Sequence, residues 1–426
     1  MIDTALAARE RQGRPIRVAM VGAGFAGRMI ALHLVSLPGI RLVAIVSRTA
    51  EHAVRAFHEA GITRVTPVTD RDALDAAVRR GECAATQDHL AVCRAKSIDA
   101  VIEVTGTVEY ASRVVLDAFT GRKHVILVNA ELDATLGPVL KNYADRSGVI
   151  LTDTDGDEPG VAMTLLRYLR SIGLRPVAAG NLKGLLDTHR TPATQKEFAE
   201  KTGQDAMKVT SFADGTKLSM EAAVLANAAG FGVGRRGMFG PQAHHVREMA
   251  HLLPEGAMLE GGIVDYALGA EPHTGAFVVV HEPDEQKMAR FRYFKLGDGP
   301  FFVFYTPFHL PQVQVASTVA RAVLFFDPTV APAGPPRCEV ITLAKRDLRE
   351  GTRIDGLGGY DIYGTIDNAS VARAGRLLPA GIAEGCTLRR DVAQDQPVTY
   401  DDVALPEGRL CDRLRREQES MAQSSL

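Results

Sequence analysis

Short runs of apolar residues alternate with amphipathic stretches over the first part of the chain. Residues 16–21, Ile-Arg-Val-Ala-Met-Val, form an apolar run that is typical of a buried parallel strand. The same pattern predicts strands over 41–46, 100–104, 124–128 and 149–152, and helices over 25–37, 51–60, 72–80 and 87–96. Strands that alternate with helices predict a parallel sheet covered on both faces. We expect the long segment between the second strand and Ala100 to be an insertion on the helical layer.

The pattern changes after about residue 155. Helical runs such as 217–229 mix with strand-like runs such as 275–280, which is typical of an α+β domain. The clearest linker is Ala-Pro-Ala-Gly-Pro-Pro at 331–336. Beyond it, Lys345-Arg346-Asp347-Leu348 recurs as Arg389-Arg390-Asp391-Val392. We therefore predict three domains, at 1–155, 156–330 and 337–410, followed by a frayed helix and disorder over 412–426.

Composition and charge narrow the class of protein. The chain has 426 residues, 46% of them hydrophobic and 23% charged, which are ordinary values for a globular protein. The formal net charge of −2 gives no general attraction to nucleic acid or to an anionic membrane. We find no run of the ~20 apolar residues that a membrane helix needs, and the N-terminal residues lack the apolar core of a secretory signal. The five cysteines include no C-x-x-C pair, which favours a reducing, cytoplasmic location over a disulfide or zinc framework.

A glycine-rich loop follows the first predicted strand. Gly22-Ala23-Gly24-Phe25-Ala26-Gly27 has the spacing G-x-G-x-x-G, and a helix is predicted to begin directly after it. The glycines permit a tight turn and a close backbone approach, so that the helix N-terminus can meet a pyrophosphate. The alternative is a tight turn without a ligand. In this context the loop favours a dinucleotide-binding, Rossmann-type doubly wound parallel sheet.

The ends of the neighbouring strands also carry polar residues. The second strand ends in Ser47-Arg48, where an NAD site usually has an acid, so a 2′-phosphate and NADP are favoured. The alternative is that Arg48 is a solvated surface charge. The stretch Glu103 to Gly106 and residue Asn129 end the next two strands and either face the cofactor or serve as turn and helix-cap residues. The predicted cofactor residues are Gly22, Gly24, Phe25, Ala26, Gly27, Ser47, Arg48, Thr105, Gly106 and Asn129.

Two lysines lead the candidates for chemistry in the second domain. Lys183 ends a predicted buried strand, where a lysine either has a lowered pKa and acts as an acid or base or extends to water. Lys217 and Glu221 are four residues apart on one face of an apolar helix, so a merely solvated ion pair is disfavoured. The predicted catalytic residues are Lys183, Lys217, Asp187 and Glu221.

Several other polar residues are candidates for binding a substrate. The acidic segment 153–158 either binds a cation through oxygen ligands or forms a turn with helix-capping acids. Arg235 and Arg236 either clamp a phosphate or carboxylate or form a solvated turn. His309 lies among apolar and aromatic residues, which favours a satisfied core histidine. The substrate-binding candidates are Asp155, Asn227, Arg235, Arg236 and His309, and a divalent metal stays an open question.

Three groups of motifs resemble known families. The glycine loop, the Glu103-Val104-Thr105-Gly106 strand end and the strand into Asn129 resemble homoserine-dehydrogenase-like NAD(P)-dependent oxidoreductases. The stretches 180–184, 191–195, 211–217, 236–238 and 307–310 resemble type II 1-deoxy-D-xylulose 5-phosphate reductoisomerase-like proteins. The part after the linker resembles a SAF domain, most clearly at Leu-Pro-Ala-Gly, 378–381.

These resemblances imply an activity and its partners. They imply NADPH-dependent reductive isomerisation of 1-deoxy-D-xylulose 5-phosphate to 2-C-methyl-D-erythritol 4-phosphate, with Lys183 and Lys217 at the substrate. They also imply an alternative, an NAD(P)-dependent oxidoisomerase or dehydrogenase of a branched sugar acid. A third alternative is a non-catalytic, nucleotide-dependent binding module. We expect a homo-oligomer that binds a small sugar-derived substrate and neither nucleic acid nor membrane.

Overall fold

The computed structural model describes residues 1–424 of the chain. It divides into two compact units. Unit 1 comprises Met1–Asp157 and Leu310–Ala331, and unit 2 comprises Glu158–His309 and Pro332–Leu426. These units do not coincide with the predicted domains, because 310–331 returns to unit 1 and the segment after the linker belongs to unit 2.

The strands and helices are numbered in chain order. The strands are β1 (Ile16–Val21), β2 (Ile40–Val46), β3 (Val65–Pro67), β4 (Cys83–Thr86), β5 (Ala100–Glu103), β6 (His124–Leu127), β7 (Leu151–Asp153), β8 (Arg175–Lys183), β9 (Ile263–Leu268), β10 (Ala276–His281), β11 (Phe301–Thr306), β12 (Cys338–Ala344), β13 (Ile362–Asn368), β14 (Thr387–Leu388) and β15 (Val403–Ala404). The α-helices are α1 (Ile2–Arg11), α2 (Phe25–Leu34), α3 (Ala50–Glu59), α4 (Arg71–Arg79), α5 (His89–Arg94), α6 (Glu109–Thr120), α7 (Ala130–Ser147), α8 (Glu158–Ser171), α9 (Pro192–Thr202), α10 (Ala206–Ala213), α11 (Thr216–Ala229), α12 (Met249–Leu252), α13 (Glu255–Leu259), α14 (Glu285–Tyr293), α15 (Pro311–Ala320), α16 (Ala369–Ala374) and α17 (Leu410–Ser424).

Unit 1 is built on a seven-stranded parallel sheet in the order β3-β4-β2-β1-β5-β6-β7. From β1 the chain builds outward through β2 to one edge, and it then returns to β5 on the other side of β1. This reversal is the switch point of a doubly wound α/β sheet, where ligands bind beyond the carboxyl ends of the strands. The predicted α/β fold class and parallel sheet are confirmed.

The segment between β2 and β5 corrects one expectation. It is not only an insertion on the helical layer, because it also supplies β3 and β4 at the edge of the sheet. These strands, Val-Thr-Pro and Cys-Ala-Ala-Thr, lack the run of large apolar residues by which the sequence marks β5 and β6. The helices predicted in this segment are present as α4 and α5.

The core of unit 1 lies between the sheet and its helices. Met20, Ile45 and Ile102 are fully buried, and Val315 and Val319 of α15 belong to the same cluster. This packing explains why 310–331 belongs to unit 1 although it is distant in sequence.

Unit 2 contains a four-stranded mixed sheet in the order β11-β10-β8-β9. The β8–β9 pair is parallel, and the β8–β10 and β10–β11 pairs are antiparallel. Val177, Phe277 and Val279 are buried in its core. The predicted α+β character of this region is confirmed.

The part of unit 2 after the linker contains two antiparallel strand pairs, β12–β13 and β14–β15. The two copies of the repeated tetrapeptide contact each other, because the backbones of Leu348 and Val392 exchange hydrogen bonds of 2.8 and 2.9 Å. The assignment of 337–410 as a separate SAF-like domain stays a prediction.

The expected frayed tail is wrong for the residues that the structure describes. Helix α17 extends to Ser424, and Cys411, Leu414 and Arg415 on it are almost fully buried. Arg415 forms an ion pair with the buried Glu339 of β12, a partner that lies too far away in sequence to be predicted from the tail. Residues 425 and 426 lie outside the described part of the chain.

Two further findings concern the whole described chain. All five cysteines are free thiols, and burial raises the pKa of Cys83 to about 11 and of Cys93 to about 12. Among residues 1–424, none of the helices combines the length and the apolar character that a bilayer crossing requires.

Candidate functional site

The glycine loop of unit 1 has the geometry that a dinucleotide needs. Gly22 has φ of +118°, a conformation that favours glycine, and it turns the chain out of β1. A Cβ on Gly27 would lie 2.4 Å from the carbonyl oxygen of Gly22, so only glycine allows α2 to pack this closely against the loop. A Cβ on Gly24, by contrast, would meet no atom within 4 Å. Gly24 is also the N-cap of α2, so the loop leaves open space in front of a helix N-terminus.

The strand register brings the other predicted cofactor segments to the same edge of the sheet. Val21 at the end of β1 pairs with Val46 of β2 and with Glu103 of β5. Ser47 is half-buried and its backbone N–H donates to the carbonyl of Thr86, whereas Arg48 is exposed. The structure therefore leaves Arg48 accessible just beyond the end of β2.

A buried carboxyl group connects two of the predicted strand ends. Glu103 accepts hydrogen bonds from the Thr105 backbone N–H at 2.9 Å, from the Thr105 hydroxyl at 2.5 Å and from Asn129 Nδ2 at 2.6 Å. Asn129 Oδ1 in turn accepts from the Leu132 N–H and caps α7. Burial raises the pKa of Glu103 to about 7, although these hydrogen bonds oppose the rise. The network fixes the Thr105–Gly106 turn, and the helix-cap alternative for Asn129 is present.

Unit 2 gathers four charged side chains from three elements. Glu158 begins α8, Lys183 ends β8, and Lys217 and Glu221 lie one turn apart on α11. Lys183 Nζ lies 3.3 Å from Glu158 Oε1 and 3.9 Å from Glu221 Oε2. Lys217 Nζ lies 3.5 Å from Glu221 Oε1. We call Glu158, Lys183, Lys217 and Glu221 the charge cluster. Its lysine side chains are 15–16% exposed, so neither is completely closed off from solvent.

The electrostatics of the charge cluster contradict one of the two alternatives for Lys183, a lowered pKa. Burial by itself lowers the pKa of Lys183, but attraction to Glu158 and Glu221 outweighs it and raises the pKa. Burial by itself raises the pKa of Glu158, but attraction to Lys183 and then to His309 holds it well below its ordinary value. Lys183 is therefore an ammonium group and Glu158 a carboxylate at neutral pH.

His309 is not the satisfied core histidine that its neighbours in the sequence suggest. It is only half-buried, and the flanking Phe308 and Leu310 are 48% and 43% exposed. Its Nδ1 lies 2.8 Å from the Thr274 hydroxyl, and its proximity contributes to the lowered pKa of Glu158. The apolar neighbours misled the prediction because they lie after the end of β11, outside the core.

Glu158 is the member of the charge cluster that sequence reasoning missed. In the sequence it was noticed only as part of the acidic segment 153–158. In the structure, Glu158 and Asp155 of this segment have different roles. Asp155 in unit 1 accepts from the Ser317 and Thr329 hydroxyls and lies 3.5 Å from Arg321. The Asp155 carboxylate thus joins buried parts of unit 1.

The remaining candidates make mainly structural contacts. Asn227 Oδ1 accepts from the backbone N–H groups of Arg337 and Cys338, and its Nδ2 donates to the Cys338 carbonyl. Arg236 pairs with the buried Asp367 at 2.7 Å. The roles of these two residues in substrate binding stay predictions.

Two more predicted residues bond within their own loops. Asp187 accepts from Arg190 Nε at 2.9 Å and from the His189 backbone N–H, and its side chain is 43% exposed. Arg235 is exposed, and it donates to the carbonyls of Met238 and Phe239. The structure does not join either residue to the charge cluster by a direct contact, so their catalytic and binding roles stay predictions.

Comparison with known proteins supports an oxidoreductase class for the part that contains the charge cluster. Residues 156–315 match the sequence family described as "Oxidoreductase DRL, catalytic domain". The match includes all four residues of the charge cluster and His309. Over this segment the chain is similar to the catalytic domain of an oxidoreductase. A comparison with curated proteins gave no match.

The solved structures that resemble the chain do so only distantly. An NAD-binding oxidoreductase from Klebsiella pneumoniae is 17% identical, with 41% of this chain and 44% of that chain covered and a TM-score of 0.28. A putative myo-inositol dehydrogenase from Sinorhizobium meliloti is 12% identical, with 73% and 90% covered and a TM-score of 0.38. A probable dehydrogenase from Thermotoga maritima is 14% identical, with 75% and 91% covered and a TM-score of 0.41. The chain thus spans less than half of the first of these proteins, and likeness at this level supports no inference about activity.

Proposed function

We propose that the protein is an NADP-dependent oxidoreductase that reduces and isomerises a keto-sugar phosphate, 1-deoxy-D-xylulose 5-phosphate. The observation that carries the proposal is the charge cluster, two lysines held by two buried acidic side chains inside the segment that matches an oxidoreductase catalytic domain. Clusters of perturbed ionisable groups are concentrated at functional sites.

The glycine loop and the neighbouring strand ends fit the cofactor. The N-terminus of α2 and the open space at Gly24 suit a pyrophosphate, and the exposed Arg48 suits a 2′-phosphate. NADPH supplies a hydride to a carbonyl carbon when it is bound. Unit 1 therefore supplies the groups that bind the cofactor. Hydride transfer requires no nucleophile from this unit.

The charge cluster supplies the proton and the positive charge. Because its pKa is raised, Lys183 acts as an acid and a cation in this proposal and not as a base. An ammonium group polarises a substrate carbonyl, stabilises the oxyanion that forms and donates the proton that the alkoxide oxygen takes up. Glu158 and Glu221 keep the lysines charged and oriented. The reduction then balances, with hydride to carbon and a proton to oxygen.

A second candidate shares the same chemistry. Two adjacent ammonium groups bind a carboxylate as readily as a phosphate, so an oxidoisomerase or dehydrogenase of a branched sugar acid is the alternative. A non-catalytic nucleotide-binding module is disfavoured. A buried charge cluster contributes little to folding stability, so folding alone does not explain its presence. We keep a homo-oligomer, a cytoplasmic location and three separate domains as proposals.

Titration of the pure protein with NADPH and with NADH, followed by nicotinamide fluorescence, tests the proposal. We expect preferential binding of NADPH and its oxidation when 1-deoxy-D-xylulose 5-phosphate is added. Binding without oxidation would redirect the search to branched sugar acids, assayed with NADP⁺ or NAD⁺. Absence of nicotinamide turnover on keto-sugar phosphates and on sugar acids would contradict an enzymatic function. Parallel assays with a chelator and with Mg²⁺ test the metal requirement.

A further inference from the structure

Helix α11 carries half of the charge cluster, and residues beyond the linker contact it at both ends. Lys217 and Glu221 lie in its first two turns. The contacts come from β12, from β13 and from the loop between them, all within unit 2. We call residues 337–368, which contain these two strands, the backing hairpin.

The first contact is an ion pair just before α11. Lys345 Nζ donates to Asp214 Oδ2 at 2.8 Å and to the Gly359 carbonyl at 2.8 Å. The side chains of Lys345 and Asp214 are 2% and 0% exposed. The other carboxylate oxygen of Asp214 accepts from the Thr216 N–H at 2.9 Å. A lysine of the backing hairpin therefore holds the carboxylate that orients the first residue of α11.

The second contact is at Thr216 itself, next to Lys217 in the chain. The Thr216 hydroxyl accepts from the Gly364 N–H of β13 at 2.9 Å. A Cβ on Gly364 would lie 2.9 Å from Val340 Cγ1 and 3.1 Å from Thr216 Cγ2. The glycine thus lets the strand backbone approach the helix closely enough for this hydrogen bond.

The third contact is near the far end of α11. The Asn227 amide forms three hydrogen bonds of 2.8–3.2 Å with the backbone of Arg337 and Cys338. Asn227 is therefore explained better by anchoring the helix than by binding substrate.

Ordinary core packing explains these three contacts less well than a role in positioning α11. A buried ion pair is rarely more stabilising than an apolar pair of the same volume, but it fixes the relative position of its partners. Here the directional contacts converge on both ends of the one helix that carries Lys217 and Glu221. A helix held at both ends can neither rotate nor slide.

We propose that the backing hairpin positions α11 for catalysis, with Lys345, Thr216 and Gly364 as positioning residues. The proposal gives the part after the linker a role in the reaction and rests on the proposed function of the charge cluster. Misplacement of a reacting group by ~1 Å lowers turnover by as much as ~100-fold.

Two substitutions of one residue test the proposal. Thr216→Val removes the hydroxyl but keeps the shape, and Thr216→Ser keeps the hydroxyl. We expect Thr216→Val to lower kcat by ~10-fold or more, within the range for a misplaced group, and to leave the NADPH Kd unchanged. Thr216→Ser should restore most of kcat. Amide hydrogen exchange over 216–229 should be faster in Thr216→Val than in Thr216→Ser.

Hydrogen exchange separates failure of this proposal from failure of the proposed function. If the wild-type protein oxidises no NADPH, the proposed function fails. Faster amide hydrogen exchange confined to α11 in Thr216→Val would still show that the contact between Thr216 and Gly364 holds the helix. Unchanged exchange and unchanged kcat in Thr216→Val would overturn the proposal. If Thr216→Val does not fold, Gly364→Ala gives a second test, because its Cβ would press on Val340 Cγ1 and Thr216 Cγ2 and so displace β13 from the Thr216 hydroxyl. Arg349→Ala, which removes an exposed ion pair with Asp391, is the control and should change neither measurement.

Discussion

The charge cluster of unit 2 is built differently from the glycine-loop edge of unit 1, which we call the cofactor edge because we propose that NADPH binds there. The cofactor edge depends on backbone geometry, since Gly22, Gly24 and Gly27 act through a positive φ, an open space and a close approach. The charge cluster depends on side chains from α8, β8 and α11, and each charge alters the pKa of its neighbours. A site that consists of local backbone can be predicted from a hexapeptide motif. A site in which charges from distant elements converge can be predicted from the sequence only in part.

The largest effect should come from breaking the charge cluster. Lys183→Met removes the ammonium group that we assign to proton donation, so we expect kcat to fall by ~100-fold or more. The NADPH Kd should not change, because Lys183 lies in unit 2. Steady-state kinetics and fluorescence titration measure the two quantities.

Lys196→Met is a suitable control for this variant, since Lys196 is an exposed lysine of α9. Equal loss of kcat in both variants, or loss of NADPH binding in Lys183→Met, would contradict the separation of roles between the two regions.

The next largest effect concerns the buried Glu103. Its pKa is about 7 in the folded chain against an ordinary value of 4.5, so the folded state retains the proton to higher pH. The contribution of Glu103 to the free energy of unfolding should therefore be most favourable below about pH 4.5, fall by ~3 kcal/mol as the pH rises to about 7, and then stay level. Urea unfolding at pH 5 and pH 8 measures this change.

Glu103→Gln should lack this part of the pH dependence, because an amide does not titrate. The other ionisable groups are shared by both proteins and cancel in the comparison. If the free energy of unfolding changes equally between pH 5 and pH 8 in the wild-type protein and in the variant, Glu103 is already ionised at pH 5.

Two glycine variants should sharpen the description of the cofactor edge. Gly27→Ala forces a Cβ against the Gly22 carbonyl, so we expect it to lose ~1–3 kcal/mol of stability as well as NADPH affinity. Gly24→Ala meets open space, so it should weaken NADPH binding with the melting temperature unchanged. Thermal unfolding and fluorescence titration check both. Full NADPH affinity in Gly24→Ala would mean that no pyrophosphate approaches this loop.

The smallest effect should be on the choice between the two nicotinamide cofactors. Arg48 is exposed, so its ion pair with a 2′-phosphate is worth ~1 kcal/mol, about a fivefold change in Kd. Arg48→Ala should weaken NADPH binding by that factor and leave NADH binding unchanged. Arg55→Ala, on the neighbouring helix α3, should alter neither. If Arg48→Ala weakens both cofactors equally, the preference for NADP has another source.

Much of the fold followed from periodicity, but short or distant elements did not. The longer strands of unit 1 and helix α11 were predicted close to their observed bounds, because each has enough apolar residues to show its period. Strands β3 and β4 were missed, because Val-Thr-Pro and Cys-Ala-Ala-Thr contain too few large apolar residues to mark a strand. Helix α17 was expected to fray, since its charged sequence gives no sign of the buried Glu339 that pairs with Arg415.

The sequence by itself determined the features that depend on neighbouring residues. These are the alternation of strands and helices, the glycine loop, and the common face of Lys217 and Glu221, all of which follow from the geometry of a turn, a strand or a helix. Tertiary structure alone decided which charges meet. It brought Glu158 to Lys183 and so raised the pKa of that lysine where burial alone would have lowered it, and it placed His309 outside the core. The physical reason is that a charge responds to whatever lies within a few ångströms in space, whereas a periodic pattern records only what lies a few residues away in the chain.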